Sequence, residues 1–158
     1  MEDEALLKGH GAYAGDMLPQ NCGHLVFLRS TEPHANILSI DADEARSMEG
    51  VRLIVTGADL AAENIGHLPG VANFKRPDGS DAAGDPRHIL ARDRVRYVGE
   101  AVAAIVADSK EIAEAAAEAI MVDYEPLPFA TNMDDAMAEG AMAIADAPDN
   151  LVAATQYG

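Results

Sequence analysis

The feature that most constrains this chain is an uninterrupted apolar run. Ala101–Ala107 contains seven apolar residues in succession, with no polar residue at alternate positions. A strand with one face in water would alternate apolar and polar side chains, so this run predicts a strand that is covered on both faces. The run is too short to cross a membrane as a helix.

A helix and a second strand are predicted directly after this run. Asp108 is a candidate N-cap, and Glu111 stands three residues later, at the spacing of a capping box. Apolar side chains then recur at the spacing of one helix face, at Ile112, Ala116 and Ile120. Residues 121–124 are a second apolar strand. The segment therefore predicts a strand–helix–strand unit.

Further elements are predicted on either side of this unit. Strands are expected at residues 24–29, 36–41 and 51–56, from their apolar and β-branched content. A short helix capped by Asp41 or Asp43 should run to Met48, with Gly50 in the left-handed conformation that favours helix ends. A last helix is expected at residues 132–139, capped by Asn132. Strands interrupted by helices in this way favour an α+β domain with a mixed sheet over an open parallel sheet.

Two segments lack this periodicity. Residues 1–8 are expected to be a flexible lead-in. Residues 61–87 are rich in Gly, Pro and Asp, and a loop of this length in a compact domain is usually functional or disordered.

The charge of the chain excludes several classes of partner. Eleven Lys and Arg stand against 27 Asp and Glu, a formal net charge of −16. Such a chain repels phosphate backbones, so neither nucleic acid nor an anionic membrane surface is an expected partner. The N-terminus Met-Glu-Asp-Glu lacks the basic start and apolar run of a signal peptide, which predicts a cytoplasmic protein.

No residue pattern indicates a catalytic, cofactor-binding or metal site. The five histidines do not fall at metal-ligand spacing, so ordinary packing or loop roles are favoured for them. The single cysteine, Cys22, would need a base brought near by folding to act as a nucleophile, and a small hydrophobic role is favoured. Gly-x-Gly at residues 9–11 follows no strand, so it is not a dinucleotide fingerprint.

The basic residues are clustered, and this leaves two interpretations open. Six of the eleven lie between residues 75 and 96, namely Lys75, Arg76, Arg87, Arg92, Arg94 and Arg96. The last three alternate, so a strand there would place them on one face. The cluster either meets an acidic partner or an anionic cofactor, or pairs with the chain's own acids. The second interpretation is favoured because the chain offers many acids.

Several short motifs occur in order along most of the chain. They are Gly11-x-Tyr13-x-x-Asp16, Phe27-Leu-Arg-Ser30, Pro33-His-Ala35, Ile40-Asp41 with Ala45, Gly50-Val51, Thr56-Gly-Ala-Asp-Leu60, Val95-x-Tyr97-Val98-Gly99-Glu100-Ala101-Val102-Ala103, Val106-Ala107, Val122-Asp-Tyr-Glu125-x-Leu127-Pro128, Asp135-Ala136 and Asp149-Asn-Leu151. In this order they resemble the α/β-hammerhead domain that opens the molybdenum-binding large subunit of the xanthine dehydrogenase, aldehyde oxidase and carbon monoxide dehydrogenase family. Thr31 departs from the pattern, since the family often has Pro there.

The resemblance implies an organisation and a role. Residues 9–147 would be the hammerhead domain, and residues 148–158 an exit segment toward a molybdopterin-binding region. Family members are molybdenum hydroxylases, oxidoreductases that use a molybdenum–pterin site and pass electrons to iron–sulfur and, usually, flavin (FAD) domains or subunits. Their catalytic glutamate and cofactor-binding segments lie beyond the matching part, so no catalytic residue is carried over.

Two functions from different classes follow. In the first, the chain is a non-catalytic structural domain that supports the molybdopterin core, shapes substrate access and is inactive alone. Its partners would be the remaining molybdopterin-binding domains and the Fe–S and flavin subunits or domains. In the second, it is a free-standing interaction module that has lost the enzyme.

Overall fold

The computed structural model describes residues 2–11, 13, 15, 17, 19–68, 74–83, 87–141 and 149–154. In chain order the elements are α1 (Glu2–Leu7), β1 (His24–Arg29), β2 (Ala35–Asp41), α2 (Asp43–Ser47), β3 (Val51–Thr56), α3 (Gly57–Ala62), β4 (Arg94–Val95), β5 (Ala101–Ala107), α4 (Lys110–Ala119), β6 (Met121–Pro126) and α5 (Met133–Met137). Strands and helices thus interleave, and the predicted α+β class is confirmed.

The strands form two separate three-stranded sheets. The first sheet has the order β1-β5-β3 and the second the order β4-β2-β6. Every pairing between these strands is antiparallel, where the sequence pattern favoured one mixed sheet. The predicted strand–helix–strand unit is present, but its two strands belong to different sheets, so α4 connects the sheets rather than crossing over one of them.

The core lies between α4 and one face of the first sheet. Ile105 is fully buried in the central strand β5, with Ala103 and Ala107 on the same side. The helix contributes Ala113 and Ala116, which are also fully buried. Alanines on both surfaces let the helix axis approach the sheet closely, which explains how a chain with only 4% aromatic residues closes a core.

A second, smaller cluster joins the two sheets. Val102 of β5 is fully buried there against Ala35 of β2 and Val95 of β4. Val102 and Ile105 are therefore both core residues, as the apolar run predicts.

The cap of α4 differs from the predicted one. Ser109, not Asp108, is the N-cap, and its Oγ accepts the backbone N–H of Ile112 at 3.3 Å. Asp108 instead pairs with Arg52 of β3. The helix thus begins one residue later than the capping prediction placed it.

The two short helices beside β3 also differ from the prediction. The N-cap of α2 is Ala42 without a side-chain cap, so neither Asp41 nor Asp43 fills that position, although Asp41 accepts the N–H of Asp43 at 3.1 Å. Gly50 has the expected left-handed conformation, with φ +85°. Helix α3 was not predicted; Thr56 and Asp59 form its capping box, and these hydrogen bonds lower the pKa of the Asp59 carboxyl.

The remaining predictions lie at the ends of the chain and in the long loop. Asn132 caps α5 as expected, accepting the N–H of Asp135 at 2.8 Å. Residues 2–7 form helix α1, which the sequence pattern did not predict; the flexibility expected of residues 1–8 stays a prediction. After α3, the described part of the loop contains two isolated bridges, Leu68 to Arg87 and Lys75 to Asp81.

Gly57, at the start of α3, offers a test of this packing. A Cβ at Gly57 would lie 2.2 Å from the carbonyl oxygen of Ala91. This oxygen belongs to the backbone, so relieving the clash would require a shift of the main chain. We expect Gly57→Ala to lower the free energy of unfolding by about 1–3 kcal/mol, the usual cost of overpacking. Gly66→Ala is the matched control, because a Cβ there meets nothing within 4 Å. Thermal melts in which Gly66→Ala lost as much stability as Gly57→Ala would contradict this packing.

Candidate functional site

The three alternating arginines do not share a strand face. Strand β4 ends at Val95, so only Arg94 of the three lies in it. The Arg92 guanidinium donates to the carbonyl of Ile65 at 2.7 Å, and that of Arg96 donates to the carbonyl of Arg94 at 2.9 Å. The prediction of a three-arginine face is wrong because the extended segment is too short to carry the alternation.

Arg96 instead belongs to a turn that leads into β5. Its guanidinium lies 3.6 Å from the carboxylate of Glu100, which is buried and accepts the Arg96 backbone N–H at 2.6 Å. Gly99, inside this turn, has φ +92°, a conformation that glycine adopts at little cost. This pair fixes the approach of the chain to the central strand.

Arg76 makes an ionic contact with Asp149 that involves both carboxylate oxygens. One nitrogen of its guanidinium lies 2.9 Å from both carboxylate oxygens of Asp149, and another donates to the carbonyl of Leu151. The Arg76 side chain is only 16% exposed. The Arg76 hydrogen bond is the main cause of a lowered pKa of the Asp149 carboxyl, with the Leu151 backbone N–H second. We refer to Arg76, Asp149 and Leu151 as the exit latch.

Backbone pairing continues the exit latch on both sides. The N–H of Ala83 donates to Val152, and the N–H of Ala154 donates to Lys75, each at 3.0 Å. Residues 149–154 therefore run beside the loop segment 74–83. These bonds tie the loop segment 74–83 to residues 149–154.

The favoured interpretation of the basic cluster is confirmed for three of its six residues. Lys75 pairs with Asp81, Arg76 with Asp149 and Arg96 with Glu100. Half of the cluster is thus paired with the chain's own acids.

Only one of the five histidines, His34, is buried. Its Nδ1 lies 2.7 Å from the Pro128 carbonyl, to which it must donate. The rings of His67 and His88 are 6.3 Å apart. Burial, and then the positive charge of Arg92, lowers the pKa of His88, so its imidazole is neutral at physiological pH. Within the described ranges no three His, Cys, Asp or Glu side chains cluster as metal ligands would.

Cys22 and one surface cleft are the other candidates for a site. Cys22 is exposed, and its thiol lies 3.6 Å from the carbonyl oxygen of the neighbouring Gly23. A backbone carbonyl cannot act as the general base that a nucleophilic cysteine requires. A cleft of about 350 Å³ lies between the end of α5 and residues 149–150, lined by residues 136–141, Asp149 and Asn150. Two acids, Glu139 and Asp149, line this cleft, and Asp149 is already held by Arg76. The absence of catalytic residues from this chain stays a prediction.

The exit latch could not have been found from the sequence. Arg76 was singled out as part of the basic cluster, but Asp149 lies 73 residues further on. No local pattern links two residues across that separation. The resemblance alone marked Asp149-Asn-Leu151 as a motif.

Comparison with known proteins now identifies the class. Residues 8–128 match the family model described as "Aldehyde oxidase and xanthine dehydrogenase, a/b hammerhead domain". This match covers well over half of the chain. The chain therefore belongs to the α/β-hammerhead domain family of aldehyde oxidases and xanthine dehydrogenases, and the resemblance seen in the sequence is confirmed.

Particular relatives show how much of a longer protein this chain corresponds to. It is 34% identical to the 6-hydroxypseudooxynicotine dehydrogenase complex subunit gamma of Paenarthrobacter nicotinovorans, over 86% of this chain and 17% of that protein. It is 35% identical to the nicotine 6-hydroxylase large subunit of the same organism, over 95% and 18%. A crystal structure of Cu,Mo-CO dehydrogenase superposes with a TM-score of 0.71 at 33% identity, over 89% and 16%. The chain spans about one sixth of these proteins.

The ionisation of Asp149 tests the exit latch. Because Arg76 lowers its folded-state pKa, the latch is fully formed above the ordinary Asp value of about 3.9 and is lost as pH falls through the lower folded value. We expect an NMR titration of the Asp149 carboxyl carbon to give a midpoint below that ordinary value. Arg76→Ala should return the midpoint toward it and expose the Ala154 amide to hydrogen exchange.

Asp81→Asn is the control for this experiment. It removes an exposed ion pair from the same loop without touching the exit latch. It should leave both the Asp149 midpoint and the Ala154 protection unchanged. An ordinary Asp149 midpoint in the unmodified chain would mean that the latch does not form in solution.

Proposed function

We propose that this chain is the non-catalytic hammerhead domain of the large subunit of a molybdenum hydroxylase, where it supports the molybdopterin-binding core and shapes substrate access. One observation carries the proposal: the chain spans 16–18% of its relatives yet forms a complete core of its own between β5 and α4. A unit that folds around its own core, without a cluster of catalytic groups among its described residues, is suited to support chemistry that occurs elsewhere.

We propose that this chain makes no contact with the molybdenum–pterin group itself. The phosphates of such a group require several N–H or guanidinium donors that converge on one point. Arg76 and Arg96 are occupied by carboxylates, and Arg92 by a backbone carbonyl. No glycine-rich phosphate loop precedes a helix N-terminus in the sequence. We therefore assign no cofactor contact to this chain.

The exit latch supports the part of the proposal that concerns substrate access. It holds the loop segment 74–83 against residues 149–154, which this proposal assigns to the exit from the domain. A loop fastened to the exit has a defined position relative to whatever follows in the chain. Such a loop is well placed to form part of a channel wall.

The partners follow from the same proposal. They are the remaining molybdopterin-binding domains of the large subunit, and Fe–S and flavin (FAD) subunits or domains. One relative is itself described as a subunit of a dehydrogenase complex. Among the described residues, no helix has both the length and the apolar character that a membrane span requires. The cytoplasmic location remains part of the proposal.

Metal content and turnover test this proposal. The 158-residue chain and the complete polypeptide encoded by its gene, the latter with its partner subunits, should be purified in parallel from a host that makes the cofactor. We expect the short chain to contain no molybdenum by mass spectrometry and to turn over no aldehyde, purine or carbon monoxide in a dye-linked assay. The complete protein should show both metal and activity.

The complete polypeptide is the positive control, because it shows that the host supplies the cofactor. Stoichiometric molybdenum in the short chain would overturn the non-catalytic assignment. A native gene product that ends with this domain would favour the free-standing interaction module instead.

A further inference from the structure

The central strand β5 has two faces of different character. Its register with β1 and β3 places residues from all three strands in rows across the sheet, and the members of a row point to the same side. One inner row is Val26–Ile105–Ile54. The inner rows face α4, and Ile105 is fully buried there. This is the face that the fold itself covers.

The opposite side of the first sheet carries only apolar side chains over two full rows. These rows are Leu25–Val106–Leu53 and Phe27–Ala104–Val55, and together they are the outer face. Leu25 is 55% exposed, Leu53 54% and Phe27 37%. The other three are half-buried. An antiparallel sheet that faces water normally has polar residues on that side, so a six-residue apolar face is not a normal water-facing surface.

The strand sequence makes the same point independently. The unbroken apolar run of Ala101–Ala107 predicts cover on both faces, and the tertiary structure provides full cover on one. Three residues of β5 point to the outer side. Val102 is fully buried because it packs against the second sheet, whereas Ala104 and Val106 are only half-buried. The sequence of β5 is thus suited to a cover that the fold of this chain leaves incomplete.

Charge is distributed as an interface requires. The chain has 27 acids, and the solvent side of α4 carries Glu111, Glu114 and Glu118, yet no acid lies in the two rows of the outer face. The nearest charged group in β1 is Arg29, whose guanidinium stacks over the Phe27 ring at 5.7 Å and donates to the Gly99 carbonyl at 2.8 Å. Depletion of acids from an exposed surface is typical of the centre of a protein interface.

We propose that the outer face of the first sheet is the surface on which the rest of the large subunit packs. The inference rests on the proposed function and names the surface through which the domain acts. The occupant is argued from length: the relatives continue for about five times the length that this chain matches, so a covalently attached partner is at hand. A second copy of the chain is a poorer occupant because two chains of net charge −16 repel each other.

Hydroxyl-radical footprinting of the complete polypeptide tests the proposal directly. We expect Leu25, Phe27 and Leu53 to be oxidised at least about tenfold more slowly than their exposure in this structure implies, which corresponds to about 1.4 kcal/mol of opening free energy. Leu38, 60% exposed on β2 of the second sheet, is the reference position. Oxidation of the three residues at the same normalised rate as Leu38 would overturn the proposal.

The source of any protection is separated by repeating the measurement in two ways. In the first, the sample is diluted until sedimentation shows a monomer. Protection that disappears on this dilution would assign the face to a second copy. Protection seen only when other subunits are bound would assign it to them. Both results overturn the proposal, whereas protection that persists in the monomeric large subunit alone supports it.

A matched pair of variants in the complete polypeptide adds an energetic readout. We expect Leu53→Glu to lower the melting temperature by several degrees, because a carboxylate would be sealed into an apolar contact. Leu38→Glu, at a similarly exposed strand position, should change it much less. Equal melting temperatures for the two variants would contradict a covered outer face.

The mass of the native polypeptide keeps the two proposals distinguishable. A native product of only this chain's length would refute the large-subunit role before any footprint is taken, and with it the occupant. If the native product is longer but footprinting shows no protection of the outer face, the proposed docking surface is refuted and the proposed large-subunit role is not.

Discussion

The rest of the structure depends on the hydrogen bonding of one strand, β5. β1 and β3 do not pair with each other; each pairs with β5 from opposite sides. α4 then packs against the sheet that β5 holds together and follows it in the chain after a two-residue gap. The second sheet meets this assembly at Val102, which is also in β5. Without β5 the first sheet would not form, because its other two strands have no pairing with each other.

The composition of the core follows from this arrangement. A helix that lies close to a sheet leaves little space between the two surfaces, and alanines fill it at native density. Ala103 and Ala107 of β5 face Ala113 and Ala116 of α4, and all four are fully buried. Larger side chains complete this core, among them Ile54 and the fully buried Ile105. The outer face, by contrast, leaves Leu25, Phe27 and Leu53 exposed.

The two unusual surfaces of the chain suggest a positional role. The two rows of the outer face offer apolar area without acids, and the exit latch ties the loop segment 74–83 to residues 149–154. A docking surface fixes where a domain lies, and a fastened loop fixes what that domain presents to its neighbour. Both are properties of a support element and neither requires a reactive side chain. This fits a domain that spans about one sixth of its enzyme relatives.

The sequence by itself determined the elements with strong periodicity and the family. The strands β1, β2, β3 and β5 and helix α4 were predictable, because burial imposes a repeat on the residues within each element. Motif order was enough to indicate the hammerhead family, and the family model confirms it.

Only the tertiary structure decided that Ser109 caps α4 and that α3 forms. It also decided that Arg92, Arg94 and Arg96 share no strand. In the case of α4, two residues were possible N-caps, and Asp108 was excluded because it pairs with Arg52, which lies 56 residues away in the sequence. The exit latch and the outer face depend on contacts and registers between distant segments, which a linear pattern does not encode. The periodicity of a sequence indicates whether a residue is buried, but the tertiary structure determines which residues it packs against.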